Sequence, residues 1–221
     1  MKEYAMGYPA IDHLVVAANN LDKGTDYILK TLNVRPQVGG EHDTMGTHNR
    51  VLRLGEDCYL EVIAINQRAP KPEHPRWFEL DTHAMQEKLR QKPRLITWAI
   101  RTDRIEELSQ RCLCPLGNVK PMNRGDLYWR LTLTEDGHLP EKGLVPFLIQ
   151  WDKTPHPAAL MQESGCGLVK LYGYHAQPEA IRQILESIGA ENLIEMKQLE
   201  PGSPPQLSAV IETPAGLKML T

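Results

Sequence analysis

The sequence predicts an α+β protein built from repeated βαβββ modules, and three observations lead there. The stretches IDHLVVAANNLDKGTDYIL from Ile11, LITWAIRTDRIEELSQ from Leu95 and LVKLYGYHAQPEAIRQIL from Leu168 each read as a strand, a polar turn and an amphipathic helix. Each is followed by runs rich in β-branched and aromatic residues and bounded by Gly, Pro, Asn or Asp, which read as further strands. The repeat is well above the roughly 50 residues that bound solenoid repeats, so it indicates duplicated modules rather than a stacked array.

Residues 11–66 form the first module. The run IDHLVVAA is a strand, and LDKGTDYILKTL is a helix with Leu21, Tyr27, Ile28 and Leu32 at helical spacing and Asn20 as its N-cap. Pro36 and Gly39-Gly40 close that segment, and RVLRL and CYLEVIAI then form a hairpin about the turn Gly55-Glu56-Asp57. Residues 67–94 carry Pro70, Pro72, Pro75 and Pro93 and read as a connector around a short helix, WFELDTHAMQEKLRQ. Residues 95–157 repeat the order: the strand LITWAI, the helix RIEELSQRC, then DLYWRLTL, the turn Glu135-Asp136-Gly137 and LVPFLIQW. Residues 167–221 are a third, βαβββ-like module. There Pro178 opens the helix and Gly189 ends it, and NLIEMKQL, LSAVIET and LKML follow as strands. An odd number of modules leaves strand edges exposed, which makes a homodimer reasonable.

Composition narrows the function classes. At 221 residues the chain is long enough to bury a full core, and 41% hydrophobic with 24% charged residues is ordinary for a globular protein. A net charge of -3 with a pI near 6.2 offers no basic surface for nucleic acid. No apolar run reaches the roughly 18 residues of a membrane span, and the first residues lack a signal-peptide pattern, so a cytoplasmic protein is expected. Cys58, Cys112, Cys114 and Cys166 lack zinc-knuckle spacing and read as reduced thiols. There is no Gly-x-Ser-x-Gly elbow, P-loop or Gly-x-Gly-x-x-Gly after a strand, so no nucleotide cofactor is expected.

The hairpin within His42 to Ile65 carries the site. Glu61 sits among apolar neighbours, and an unpaired buried carboxylate costs several kcal/mol, so it requires a hydrogen bond, an ion pair or a cation. A two-residue turn sets Glu61 opposite Leu52 and places His48, Arg50 and Leu52 on its face of the sheet; a shift of one residue turns His48 away. In the second module, Arg124, Asp126 and Arg130 surround Trp129 and either hold an anionic substrate or pair among themselves. Trp98, Trp129 and Trp151 lie on separate strands and read as core, and His156 and His175 read as turn residues.

With His13 on the first strand and Glu61 on the last strand of module one, the chain resembles the vicinal oxygen chelate superfamily. More narrowly, DHLVVAANNLD, GTHNRVLRLG, YLEVIAI, RGDLYWRLTL and VPFLIQWDKTPHP resemble the glyoxalase-like domain family over roughly residues 11–157. The resemblance implies curved mixed sheets around a cleft, as in the glyoxalase, bleomycin-resistance and dioxygenase fold, with a divalent metal (Zn, Mn or Fe) held there. His13 and Glu61 match ligand positions, whereas the module-two positions fall near Thr97 and at or beside Gln150, both weak donors. His48, or less favourably His42, would supply a third ligand. The implied function is a metal-dependent lyase, isomerase or dioxygenase on a small oxygen-rich metabolite, with Glu61, Arg124 and Arg130 as catalytic or substrate-holding residues. The alternative is a metal-free small-molecule binder of the bleomycin-resistance kind.

Overall fold

The computed structural model describes residues 9–152 and 155–221, so most of the expected lead-in at residues 1–10, together with Lys153 and Thr154, lies outside the described residues. The first module consists of β1 (Ala10–Ala17), α1 (Leu21–Leu32), β2 (Gln37–His42), β3 (Thr47–Arg53) and β4 (Tyr59–Ile65). A connector with α2 (His83–Gln91) leads to the second: β5 (Arg94–Arg101), α3 (Ile105–Arg111), β6 (Asn118–Arg124), β7 (Leu127–Leu133) and β8 (Phe147–Trp151). Their strands form one eight-stranded mixed sheet in the order β2-β3-β4-β1-β5-β8-β7-β6. β1 runs parallel to β4, β5 runs parallel to β8, and β1 and β5 meet antiparallel at the centre. The sheet curls until its edge strands β2 and β6 touch, enclosing a half-barrel.

The third segment contributes β9 (Gly167–His175), α4 (Pro178–Ser187), β10 (Glu195–Gln198), β11 (Gln206–Thr213) and β12 (Gly216–Leu220). It has the element order β-α-β-β-β but not the pairing of the other two. Its sheet runs β10-β9-β11-β12, so the parallel neighbour of β9 is the next strand in the chain rather than the last.

Burial explains the strand sequences. On the outer face, Leu14 and Val16 of β1 and Trp98 and Ile100 of β5 pack with Ile28, Leu32, Ile105 and Leu108 of the helices. Leu171, Ala209 and Ile211 of the second sheet join the same cluster. Inside the barrel, Val15, Ala17, Ile63, Ala99 and Phe147 form a second core. β1 is therefore covered on both sides and reads as a continuous apolar run instead of an alternating one. The one polar atom of Trp98 is satisfied, its Nε1–H donating to the Leu144 carbonyl at 3.1 Å.

The connector does more than link modules. The expected helix over residues 77–91 begins only at His83, capped by Thr82, whose hydroxyl accepts from Met85 N. Ahead of it, Phe78 and Glu79 take left-handed backbone angles (φ 61 and 57), and Trp77, Phe78 and Leu80 turn into the barrel core. Arg76 fastens this segment, with Nη1 2.7 Å from Asp81 Oδ1. Among the described residues, no helix is long and apolar enough to cross a membrane.

Gly24 lets α1 sit close on β4: a Cβ there would lie 2.4 Å from Val62 Cγ1 and 2.9 Å from the Ala18 Cβ. Helix propensity alone favours Gly24→Ala by about 1 kcal/mol, whereas overpacking of a tight contact costs about 1–3 kcal/mol. The expected outcome is a net loss of stability in urea titration; a gain would show that the α1–β4 contact yields freely.

Candidate active site

The site lies inside the barrel, at the end where β1 begins. Ile11 pairs with Ile100 and His13 with Ala99, so Asp12 is an extra residue in β1. In a regular strand, neighbours point to opposite faces; here the bulge lets Asp12 and His13 share one side. Asp12 is fully buried, and its Oδ1 lies 2.6 Å from His13 Nδ1. Its Oδ2 accepts from Trp151 Nε1 at 2.8 Å and lies 2.9 Å from His156 Nε2. Burial pushes the Asp12 carboxyl up, but the hydrogen bonds from His13 and His156 outweigh it and hold the group well below the usual carboxylate range.

The His13 ring is clamped by stacking on Tyr59, centroids 4.5 Å apart, and by the edge of Phe147 at 5.4 Å. Its free Nε2 is 4.0 Å from Glu61 Oε2. The other carboxylate oxygen of Glu61 accepts from Asn49 Nδ2 at 2.6 Å, and Asn49 Oδ1 accepts from Gly40 N at 2.7 Å. The glycine pair read as a segment end is part of β2. Val38 faces Arg50 and Glu41 faces His48, so Gly39-Gly40 bulge opposite Asn49. A Cβ on Gly39 would sit 2.0 Å from Asn49 Oδ1. Glycine there is what allows the amide to lie flat and face Glu61.

Across the closing seam, Arg124 of β6 reaches His42 of β2, with Nη1 3.3 Å from Nε2. A guanidinium only donates, so His42 Nε2 accepts and its Nδ1–H donates to Thr47 Oγ1 at 3.1 Å. Burial pushes His42 down from 6.5 to about 4, with nearby Glu61 opposing and Arg124 assisting, so the ring is neutral near pH 7. Among the described residues, no carboxylate lies within ion-pair distance of Arg124. Trp77, Phe78, Trp129, Phe147, Trp151 and Met161 wall the cavity. The cavity volume is about 50 Å³, room for a few waters or a metabolite of a few heavy atoms.

Several expected site residues are placed differently. The turn after β3 holds three residues, since Leu54 N donates to Cys58 O, and Glu61 therefore pairs with Val51 rather than Leu52. His48 and Arg50 consequently face the opposite side of the sheet, and Thr47, Asn49 and Val51 share the face of Glu61. Arg130, expected beside the substrate, is on the outer face, 3.8 Å from Glu106 and 3.6 Å from Asp152. Gln150 also points outward and accepts from Ile105 N at 3.2 Å, so β8 presents Phe147, Ile149 and Trp151 to the cavity. His13, Glu61, Arg124 and the less favoured His42 do meet there. Trp129 and Trp151, read as core, line the cavity, and His156, read as a turn residue, enters through Asp12.

The expected metal centre is not assembled. Among the described residues, no three His, Cys, Asp or Glu side chains are grouped to hold one ion. His13 and Glu61 are two donors, one short of the three protein ligands that open transition-metal sites use, and the His42 lone pair is spent on Arg124. All four cysteines are free, and burial raises every one of them, Cys58 to about 12, so none is a ready thiolate.

His42 yields a pH test. Its folded-state value is below its unfolded one, so between about pH 6.5 and 4 the unfolded chain takes up a proton that the folded one refuses. Stability is full above that window and falls as pH drops through it, by at most about 1.4 kcal/mol per pH unit. His42→Gln is expected to flatten the wild-type slope of urea stability over this window. Equal slopes in the two proteins would contradict a buried neutral His42.

The comparisons with known proteins agree with this architecture. The family model of the glyoxalase-like domain matches residues 11–189, whereas no curated protein matches the chain. A crystal structure of a hypothetical protein from Staphylococcus aureus is similar over 92% of this chain and 80% of that one, with TM-score 0.58 and 14% identity. Methylmalonyl-CoA epimerase from Mycobacterium tuberculosis is similar over 72% of this chain and 97% of its own, with TM-score 0.43 and 14% identity. At 14% identity the likeness to the Staphylococcus aureus protein speaks for the fold alone. The matched residues take in both barrel modules with His13, Glu61 and Arg124, and this chain belongs to the glyoxalase-like domain family.

Proposed function

We propose that this protein is a lyase or isomerase that moves a proton on a small, oxygen-rich, anionic metabolite inside the barrel. The observation that carries this reading is the pair His13 Nε2 and Glu61 Oε2, 4.0 Å apart, on residues only 4% and 6% exposed, at one small cavity. Two proton-accepting groups that face the same bound molecule can take a proton from carbon, and the group that takes it can return it. Arg124 would hold an anionic oxygen of the substrate and stabilise the negative charge that forms when the adjacent C–H bond breaks. The electron pair of that bond moves into the carbon–carbon bond as the neighbouring carbonyl's π pair moves onto its oxygen, giving an enolate; the proton goes to the base, and its return from that same group to another atom of the enolate completes an isomerisation. The aromatic walls exclude water and strengthen these charge interactions. The two-histidine, one-carboxylate set needed for the dioxygenase reading lacks His48, so proton transfer is favoured over it.

The aromatic lining also suits a small-molecule binder without chemistry, and one experiment separates the two. The protein is incubated in D2O with small 2-hydroxy, 2-oxo and dicarboxylic acids, and exchange of the carbon-bound proton is followed by NMR. Exchange of at least one acid is expected, falling by about 100-fold or more in Glu61→Gln. Acids that raise the melting temperature without any exchange would establish the binder instead. Arg124→Gln is expected to weaken acid binding by about 10-fold or more, since a charge-assisted hydrogen bond contributes about 1.5–3 kcal/mol. Arg130→Gln and His48→Ala are expected to leave binding unchanged, and a loss in either would contradict their placement outside the cavity.

A further inference from the structure

We infer that Asp12 and His156 are positioning residues that lock His13 in its Nδ1–H tautomer, so that a lone pair on Nε2 faces the cavity. The backbone N–H of Ala158 donates to His156 Nδ1 at 3.2 Å, so that nitrogen carries no proton. The proton of a neutral His156 is then on Nε2, which donates to Asp12 Oδ2 at 2.9 Å. Trp151 Nε1–H, a donor only, reaches the same oxygen at 2.8 Å. Oδ2 receives two hydrogen bonds, and the donors around the carboxyl hold it well below the usual carboxylate range, so Asp12 is an ionised carboxylate with no proton to give. The 2.6 Å contact between its Oδ1 and His13 Nδ1 therefore requires the proton to sit on His13 Nδ1. In the neutral ring the nitrogen left exposed to the cavity is the unprotonated Nε2, 4.0 Å from Glu61.

Two histidines that share one carboxylate are thereby held in opposite tautomers. The ring of His13 is fixed in rotation as well, by Tyr59 on one side and Phe147 on the other. A base that must accept a proton from carbon needs this tautomer and this fixed direction, because the proton-accepting lone pair has to be on the cavity side before substrate arrives. That catalytic consequence rests on the proposed proton transfer, whereas the tautomer itself does not.

The test is nitrogen-detected NMR of the full 15N-labelled chain near neutral pH, with ring signals assigned by His13→Gln and His156→Gln. In the wild type, His13 is expected to show a protonated Nδ1 and a bare Nε2, and His156 the reverse. Asp12→Asn is expected to move His13 towards the Nε2–H form, and His156→Phe, leaving Trp151 as the remaining donor to Oδ2 among the described residues, to populate both forms. A wild-type His13 in the Nε2–H form would overturn the inference, even if no variant folds. An unaltered His13 in folded Asp12→Asn would overturn the role of Asp12, and in folded His156→Phe the role of His156. Opposite tautomers together with no proton exchange on any acid would uphold the positioning and defeat the proposed function.

Discussion

Two carboxylates are buried inside one apolar barrel, and the cost of leaving either without donors organises everything around them. An unmatched buried charge costs several kcal/mol, comparable with the net stability of many domains. Asp12 is matched by His13, Trp151 and His156, which come from β1, from β8 and from the chain beyond it. Glu61 is matched by Asn49, which is itself held by the Gly40 backbone. The strands are thus tied at their inner faces by polar groups that match the two carboxylates, and a site with fixed side chains results.

The unusual backbone features serve these same bonds. The bulge at Asp12 puts two successive side chains on one face, and the Gly39-Gly40 bulge makes room for Asn49 over the strand. The contact of Arg124 with His42 spans β6 and β2, the two free edges of the eight-stranded sheet, so curling the sheet completes the cavity. Arg124 ends up beside a neutral imidazole and without a carboxylate partner among the described residues, which leaves its charge available to an anion. Burial of His42 and availability of Arg124 are two sides of one arrangement.

What could be read from the sequence was what depends on local pattern. The strand-helix-strand repeats, the Asn20 cap and the apolar runs of β1 and β5 follow from residue chemistry within one element, and so did the suspicion that Glu61 needs a partner. What failed depends on parity. One extra residue in the turn after Leu54 exchanged His48 for Asn49, and alternation along β7 sent Arg130 outward while Trp129 turned in. Asp12 was hidden for a similar reason, because an acid next to His13 belongs on the other face unless the strand bulges. A glycine pair opposite an Asn was the available signal for the second bulge. His156 and Trp77 could not be found locally, since each gains its role from contacts with residues more than 30 positions away.

The central claim is that His13, Glu61 and Arg124 address one small anionic molecule in a single enclosed space. A crystal structure with a small carboxylic acid bound tests it most directly. The account predicts the carboxylate on Arg124, with the adjacent carbon between His13 Nε2 and Glu61 Oε2 and within about 3–3.5 Å of at least one of them. An acid bound outside the barrel, or inside it with His13 and Glu61 turned away, would contradict the account.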